Sequence, residues 1–530
     1  MSRIAALPRR DWRDGAEPLA DLLSESLRTP VGTMRLRPVQ AVAIAEACEH
    51  GGLFGHIRVG AGKTLISALI PKVLDAQRPL LLVPASLVPK TLRDFDLLRL
   101  HWQIPHTIRV SSYSRLGLAQ HAEMLNAYRP DLIIADEGHK LKRVRESAVA
   151  RRVARYMHEN PNCRFVCLSG TLTKGSLRDY AHLLIWALRG NAPIPLETDV
   201  LNEWCEILDA WAEGANYDNL TAALGPVANQ TDARKAYAQR LTQTPGVVIS
   251  RESFRDVSLT IQRHRIPIPA AMDPYVSKLR DEWLAPDDWP LADAAFEVWR
   301  VARELGLGFC YICDPRPPSD WFDARRNWCR FVRQTLAASR HFDSEFQVAA
   351  ACSDGRLDPT LWQEWKEIEP TFTPETTAIW YSTHAIDWAL SWGRQRNGGV
   401  IWVEHTAFGR LLSDLSGWPF FEGEGLDSEG RYIEDMQGDA TIIASVHANR
   451  EGMNLQAWHA MLVVCPHNSN VQNEQMIGRL HRDGQAHPVH VDMMITIEEN
   501  DKSIENAVRE AEYTYESTEL EQKLLIATWI

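Results

Sequence analysis

Leu53-Phe54-Gly55-His56-Ile57-Arg58-Val59-Gly60-Ala61-Gly62-Lys63-Thr64-Leu65-Ile66-Ser67-Ala68-Leu69-Ile70 is the stretch on which the fold turns. A strand-like run, a glycine-bearing turn closed by Lys-Thr and a helical run predict strand, loop and helix in succession. Glycines let backbone N–H groups approach phosphate oxygens, and the N-terminus of the next helix adds its positive end. In this reading Gly60, Ala61, Gly62, Lys63 and Thr64 cradle a phosphate chain. Lys63 reaches its terminal phosphates and the Thr64 hydroxyl ligates Mg²⁺. The full pattern asks for glycine five positions before Gly62, and Ile57 stands there. The bland alternative is a glycine turn that merely precedes a helix.

Working outward, further apolar runs end in polar or glycine-bearing turns: Leu80-Leu81-Leu82-Val83, Leu132-Ile133-Ile134-Ala135 and Phe165-Val166-Cys167-Leu168. That is the pattern of a buried parallel sheet with its working loops at the strand ends. Asp136-Glu137-Gly138-His139 follows the second run. A carboxylate there faces the nucleotide crevice of such folds, so Asp136 is expected to hold Mg²⁺ and Glu137 to orient and deprotonate a water. Ser169-Gly170-Thr171 follows the third run, where small hydroxyls suit a sensor of nucleotide state; a simple polar turn is the alternative. A second series of runs begins near Gly398: Val400–Val403, Thr441–Ala444, Met461–Val464 and Val489–Ile495.

Between these regions, about 267 to 397, the chain is rich in Trp and Arg and reads as mostly helical. Trp283, Trp299, Trp321, Trp328, Trp362, Trp365, Trp380, Trp388 and Trp392 fall there, and a core packed with large rings is favoured over exposed base-stacking platforms. Cys310-Tyr311-Ile312-Cys313, with Cys329 and Cys352 downstream, lacks the second paired spacing of a zinc site and reads as buried thiols.

At 530 residues the chain has room for several domains. Its 45% hydrophobic and 24% charged content is ordinary for a globular protein. A net charge of -12 argues against a general nucleic-acid coat, though not against a local basic track such as Lys140 to Arg155. No apolar run spans a bilayer, the N-terminus has no apolar signal region, and nine scattered cysteines do not form a disulfide framework. A cytoplasmic protein, of a bacterial or phage-infected cell, is expected.

Near the C-terminus stands Gln475-Met476-Ile477-Gly478-Arg479-Leu480-His481-Arg482-Asp483-Gly484-Gln485. If helical, it puts Arg479 and Arg482 on one face with Gln475. Planar, always-charged donors suit charge developing on a γ-phosphate. A basic surface helix is the alternative.

Taken in order, these motifs resemble the superfamily-two helicases and translocases, the Swi/Snf type in particular. Leu36-Arg37-Pro38-Val39-Gln40 looks like the adenine-recognising element, Leu82–Ser86 like motif Ia and Ser111-Ser112-Tyr113 like Ib. Asp136–His139 is similar to motif II, Ser169–Thr171 to III, Val400–Val403 to IV, Ser445 through Leu455 to V, and Gln475–Gln485 to VI. The middle segment resembles that of compact phage- or prophage-encoded members. Departures are Ile57-Arg58 in place of Asp-Glu, Leu172 in place of Pro, and Asn449-Arg450-Glu451 in motif V.

The resemblance implies an α/β chain: two RecA-like parallel-sheet domains, 31–265 and 398–500, with a helical, Trp-rich insertion at 266–397. An N-terminal segment, 1–30, and closing helices, 501–530, flank them. It implies an ATPase that moves on duplex or branched DNA in phage-type replication, recombination or repair. ATP and Mg²⁺ are its cofactors and sequence-independent DNA its partner; a monomer with no membrane association is expected. Catalysis falls to Lys63, Glu137, Arg479 and Arg482, nucleotide binding also to Arg37, Gln40, Gly452 and Gln475, and coupling to Ser169 and Thr171. DNA contacts are expected at Ser86, Ser112, Tyr113, Lys140, Lys142 and Arg143. An RNA helicase is the runner-up within the class, and a non-hydrolysing nucleic-acid clamp the alternative outside it.

Overall fold

Each strand-like run of the first region is a strand of one parallel sheet: β1 (Leu53–His56), β2 (Pro79–Val83), β3 (Arg109–Ser112), β4 (Leu132–Asp136), β5 (Arg164–Ser169) and β6 (Val247–Ile249). Their order is β3-β2-β4-β5-β1-β6, and every pairing is parallel. The computed structural model describes residues 2–530 except 13–14, 59, 143, 145–146, 174, 213–215, 251–256, 290, 292–294, 340–341, 424 and 450–452, and except the side chains of 295, 448 and 449.

Side chains alternate across a strand, so an unbroken apolar run serves two faces. Phe54, Leu80, Leu82, Ile133, Ala135, Phe165 and Cys167 pack on one side of the sheet. Leu53, Leu81, Val83, Leu132, Ile134, Val166 and Leu168 pack on the other. Helices Ala148–Glu159, Ala181–Leu188 and Gln230–Thr242 supply the first core. Helices Pro38–His50, Lys63–Val73 and Val88–Leu98 supply the second.

The remaining strands are β7 (Leu259–Arg265), β8 (Phe309–Cys313), β9 (Thr376–Trp380), β10 (Gly399–Val403), β11 (Phe420–Phe421), β12 (Thr441–Ser445), β13 (Ala460–Val463), β14 (Val489–Ile495) and β15 (Thr528–Trp529). Seven of them form a second parallel sheet, β11-β12-β10-β13-β14-β7-β15, while β8 and β9 pair antiparallel. The protein is thus an α/β chain with two large parallel sheets. Residues 259–265, grouped by sequence with the first region, lie in the second sheet in register with β14. Their polar, alternating pattern fits a strand near a sheet edge better than one buried on both faces. The chain's last strand, β15, lies on the outer side of β7.

Between the sheet regions run helices that include Asp273–Glu282, Ala295–Gly306, Ser319–Ala338, Glu345–Ser353, Thr360–Ile368 and His384–Arg394. Trp321, Trp328 and Trp365 are buried there in one aromatic core, while Trp283 is exposed. Cys310 and Cys352 are buried thiols, and Cys313 and Cys329 are half-buried. Among the described residues no helix is long and apolar enough to cross a membrane.

The chain divides into two compact units. One comprises Met1–Phe254, Asn473–Gly478 and Val508–Ile526; the other comprises Arg255–Gln472, Arg479–Ala507 and Ala527–Ile530.

Phe165 is fully buried and meets Trp186 edge-on, with ring centroids 5.3 Å apart. Phe165→Ala is expected to cost about 3–5 kcal/mol, read as a lower urea midpoint for the unit that holds the first sheet.

Candidate active site

The loop after β1 and the loop after β4 are separated by one strand, β5, and their side chains meet. Lys63 Nζ lies 3.2 Å from Glu137 Oε1, and both side chains are largely buried. Lys63 also donates to the carbonyls of Ile57 (3.3 Å) and Arg58 (3.5 Å). Ile57, which takes the place of the expected glycine, is a fully buried residue that offers its backbone to the lysine.

Gly62 has φ 80°, a left-handed value that side chains resist. Its α-carbon is also covered by the Gln40 amide, which donates to the carbonyls of Ala61 (3.2 Å) and Gly62 (3.4 Å). The same amide's oxygen accepts from Arg37 N (2.9 Å), and the Arg37 side chain donates to Gly60 O (3.3 Å). Arg37, Gln40, Gly60, Ala61 and Gly62 are therefore one hydrogen-bonded assembly, which Lys63 joins through Arg58 O, an acceptor it shares with Ala61 N (3.4 Å). Thr64, at the start of the helix Lys63–Val73, is half-buried.

Glu137 adopts φ 54°, and its N–H donates to Asp136 Oδ1 (3.1 Å). Left-handed backbone at a non-glycine residue is uncommon and is held by its surroundings. Tyr113 supplies one support, donating from its hydroxyl to Asp136 O (2.7 Å). Gly138 supplies another, because Cys167 Sγ lies where a side chain would stand.

His139 joins this loop to the end of β5. Its Nδ1 is 3.1 Å from Ser169 Oγ, 3.3 Å from Glu137 Oε2 and 3.4 Å from Thr171 Oγ1. Ser169 donates to Glu137 (3.3 Å) and accepts from Thr171 N (3.2 Å). Ser169 and Thr171, the expected coupling pair, thus lie within the network that holds Glu137. His139 belongs to the motif Asp136–His139 without an expected role of its own; a histidine two residues after a strand-end glutamate is the signal that the sequence offers for it. His56 was also passed over. It is fully buried at the end of β1, and burial lowers its ring to about 3, so it stays neutral beside Lys63.

Burial alone would raise the Glu137 carboxyl. The Lys63 ammonium and the His139 side chain outweigh it and hold the carboxyl well below the usual carboxylate range. Asp136 is buried as well. Its carboxylate and the Thr64 hydroxyl are hard oxygen donors of the kind Mg²⁺ takes.

Other expectations change. Ser112 caps a short helix, accepting from Arg115 N (3.1 Å), and Tyr113 is buried beneath Asp136. Both side chains are engaged in hydrogen bonds within the fold. Arg152 in the basic run is buried and donates to the carbonyls of Leu116 (2.6 Å) and Leu118 (2.7 Å). Ser86, Lys140 and Lys142 are half-buried. Arg143 and Gly452 lie outside the described residues.

The helix predicted at Gln475 spans Asn470–Leu480. It includes Gln475 and Arg479, both buried, and ends before Arg482, so the two arginines do not share a helix face. Arg479 donates to Met453 O (3.0 Å) and its carbonyl accepts from Leu455 N (3.2 Å), which ties it to the loop expected as motif V. Gln485 closes the turn. Its amide donates to the carbonyls of Leu480, Trp458 and Gln456 at 3.0–3.3 Å and its oxygen accepts from His487 N (3.1 Å). His481 is buried against Val257 O (2.9 Å).

Compared with known proteins, the chain matches no family model and no curated protein.

Because the Glu137 carboxyl is depressed in the folded state, it adds stability above the ordinary carboxylate range that is lost as pH falls below it. Between about pH 5 and pH 3 the unfolded chain takes up a proton at this position and the folded chain does not. Glu137→Gln is therefore expected to lose less stability than wild type over that interval, measured by urea unfolding at each pH. Gln485→Ala leaves buried carbonyls unpaired and is expected to cost about 1–3 kcal/mol, read as a lower denaturation midpoint.

Proposed function

We propose that this chain is an ATP-dependent DNA translocase of the Swi/Snf type, built on two RecA-like domains and acting in phage-type replication, recombination or repair. The observation that carries this reading is the Lys63–Glu137 pair at 3.2 Å, formed where the segments that follow the C-terminal ends of β1 and β4 meet. A lysine in a glycine loop can hold phosphate oxygens, and a strand-end glutamate beside it can orient and deprotonate a water, the two roles that this reading assigns. Ligands of open α/β sheets bind at this end of the strands.

In this reading Gln40 and Arg37 hold the loop in shape and recognise the base. Lys63 leaves Glu137 for a phosphate oxygen. Glu137, relieved of its cation, regains basicity, orients a water and accepts its proton. Ser169, Thr171 and His139 keep the carboxylate aimed and respond when it moves. Asp136 and Thr64 would hold Mg²⁺, which neutralises phosphate charge when bound. Arg479 and Arg482 are proposed as the donors to the γ-phosphate, with Arg479 anchored on the loop at Met453.

The DNA partner rests on the motif resemblance and on Lys140 and Lys142 just after the acidic loop, since Arg152 is turned inward. Contact would be mainly to phosphates and weaken steeply with salt.

ATP hydrolysis by the purified chain is measured with duplex, single-stranded and forked DNA and with RNA. Stimulation by DNA is expected, with Glu137→Gln reducing turnover by about 10²–10⁴-fold. Stimulation by RNA alone would replace the DNA reading, and wild-type turnover in Glu137→Gln would end the assigned mechanism.

A further inference from the structure

Strands β10 and β13 are parallel neighbours, with Trp402 opposite Val463. Just past their C-terminal ends stand Glu404 and His405 on one side and Cys465 on the other. One donor atom from each of the three lies within 4.8 Å of the other two. An ion at the centre of such a triangle is within about 2.8 Å of every donor, about 0.5–0.8 Å beyond a formed zinc–ligand bond of about 2.0–2.3 Å, so the loops would draw in on binding.

The surroundings are built rather than accidental. Cys465 is buried. The His405 ring packs on Phe309 and Tyr311, with centroids at 5.4 and 5.9 Å. Its Nε2 is buried without a hydrogen-bond partner among the described residues. Arg303 holds Glu404 by Oε2 at 2.8 Å and also donates to Pro466 O at 3.0 Å. His467 Nδ1 lies 3.9 Å from the same carboxylate oxygen. Nearby Glu304 is buried and held by Arg300 (2.5 Å) and Tyr311 N (3.0 Å).

A plain ion pair between Arg303 and Glu404 accounts for one carboxylate oxygen. The same guanidinium contacts the Cys465 sulfur, which Asn500 Nδ2 also approaches at 3.9 Å, so what the ion pair leaves unexplained is the His405 Nε2, buried without a partner among the described residues. Thiolate, imidazole and carboxylate together are the donor set of a borderline cation, and ligating groups braced by neighbours are typical of metal centres.

We propose that Glu404, His405 and Cys465 bind one Zn²⁺ or similar transition-metal cation, fastening the loop after β10 to the loop after β13. Its three residues belong to a different unit of the chain from the loops of the first sheet, and the proposal does not rest on the ATPase reading. On binding, the Cys465 S–H proton passes to solvent and the sulfur becomes a metal thiolate, with no change of oxidation state.

The full chain, free of any histidine tag, is stripped with a chelator and titrated with Co²⁺ as a spectroscopic stand-in for zinc. One Co²⁺ per chain is expected, with a thiolate-to-cobalt charge-transfer absorption in the near ultraviolet. Cys465→Ser is expected to abolish the band, while Cys205→Ser, at a buried thiol of the other unit, keeps it. Sulfur-to-metal absorption separates this centre from Co²⁺ held by oxygen ligands at Asp136 or by the Glu46, Glu49 and His50 group. Should Cys465→Ser not fold, His405→Gln and Glu404→Gln are read instead, each expected to weaken Co²⁺ binding at least tenfold. Absence of the band in wild type, its survival in a folded Cys465→Ser, or unchanged affinity in both other variants would overturn the proposal.

Discussion

A buried ammonium and a buried carboxylate, Lys63 and Glu137, face each other across the end of one strand, and the first sheet is organised around that meeting. Neither charge is tolerable there alone, because taking an unpaired ion out of water costs several kcal/mol. Each therefore fixes the other. Lys63 anchors the glycine loop to the strand end through Ile57 and Arg58, and Glu137 accepts a left-handed backbone to reach its partner. Strand β5 lies between them in the sheet, so Ser169 at its end falls within reach of the carboxylate. His139 then ties Ser169, Thr171 and Glu137 into one network.

The sheets hold such groups in place by being apolar on both faces. Residues of successive strands alternate between two cores, leaving polar chemistry nowhere to go except the strand ends. The second sheet obeys the same rule: Glu404, His405 and Cys465 follow strands whose own residues are all buried. Close packing below gives loops above a rigid base.

The fold's main strands were legible because a doubly covered strand has an unmistakable composition. β1, β2, β4, β5, β10, β12, β13 and β14 all coincide with apolar runs in the chain. β7 and β15 were not legible: one is half polar and the other is two residues long. Lys63, Glu137, Gln40 and the glycines were readable as candidates, since phosphate-cradling chemistry imposes residue type and spacing together. Side-chain direction was less accessible. Ser112, Tyr113 and Arg152 carry groups that suit a nucleic acid equally well on paper, yet each satisfies a backbone group inside the fold. Arg482 was placed on a helix by its spacing from Arg479, but the chain turns after Leu480, where Gln485 gathers the freed carbonyl. His139 was hidden for a different reason: its partners Ser169 and Thr171 stand at and just past the end of another strand, which spacing does not report.

The division of the chain carries a consequence for how it can be cut into parts. Residues 508–526 belong to the unit that begins with the first sheet, and residues 527–530 belong to the other. Leu520 lies in the same apolar core as residues of β4 and β5, and β15 pairs with β7. A fragment that stops short of these segments leaves that core and that strand edge uncovered, so neither unit can be excised as one continuous stretch of sequence.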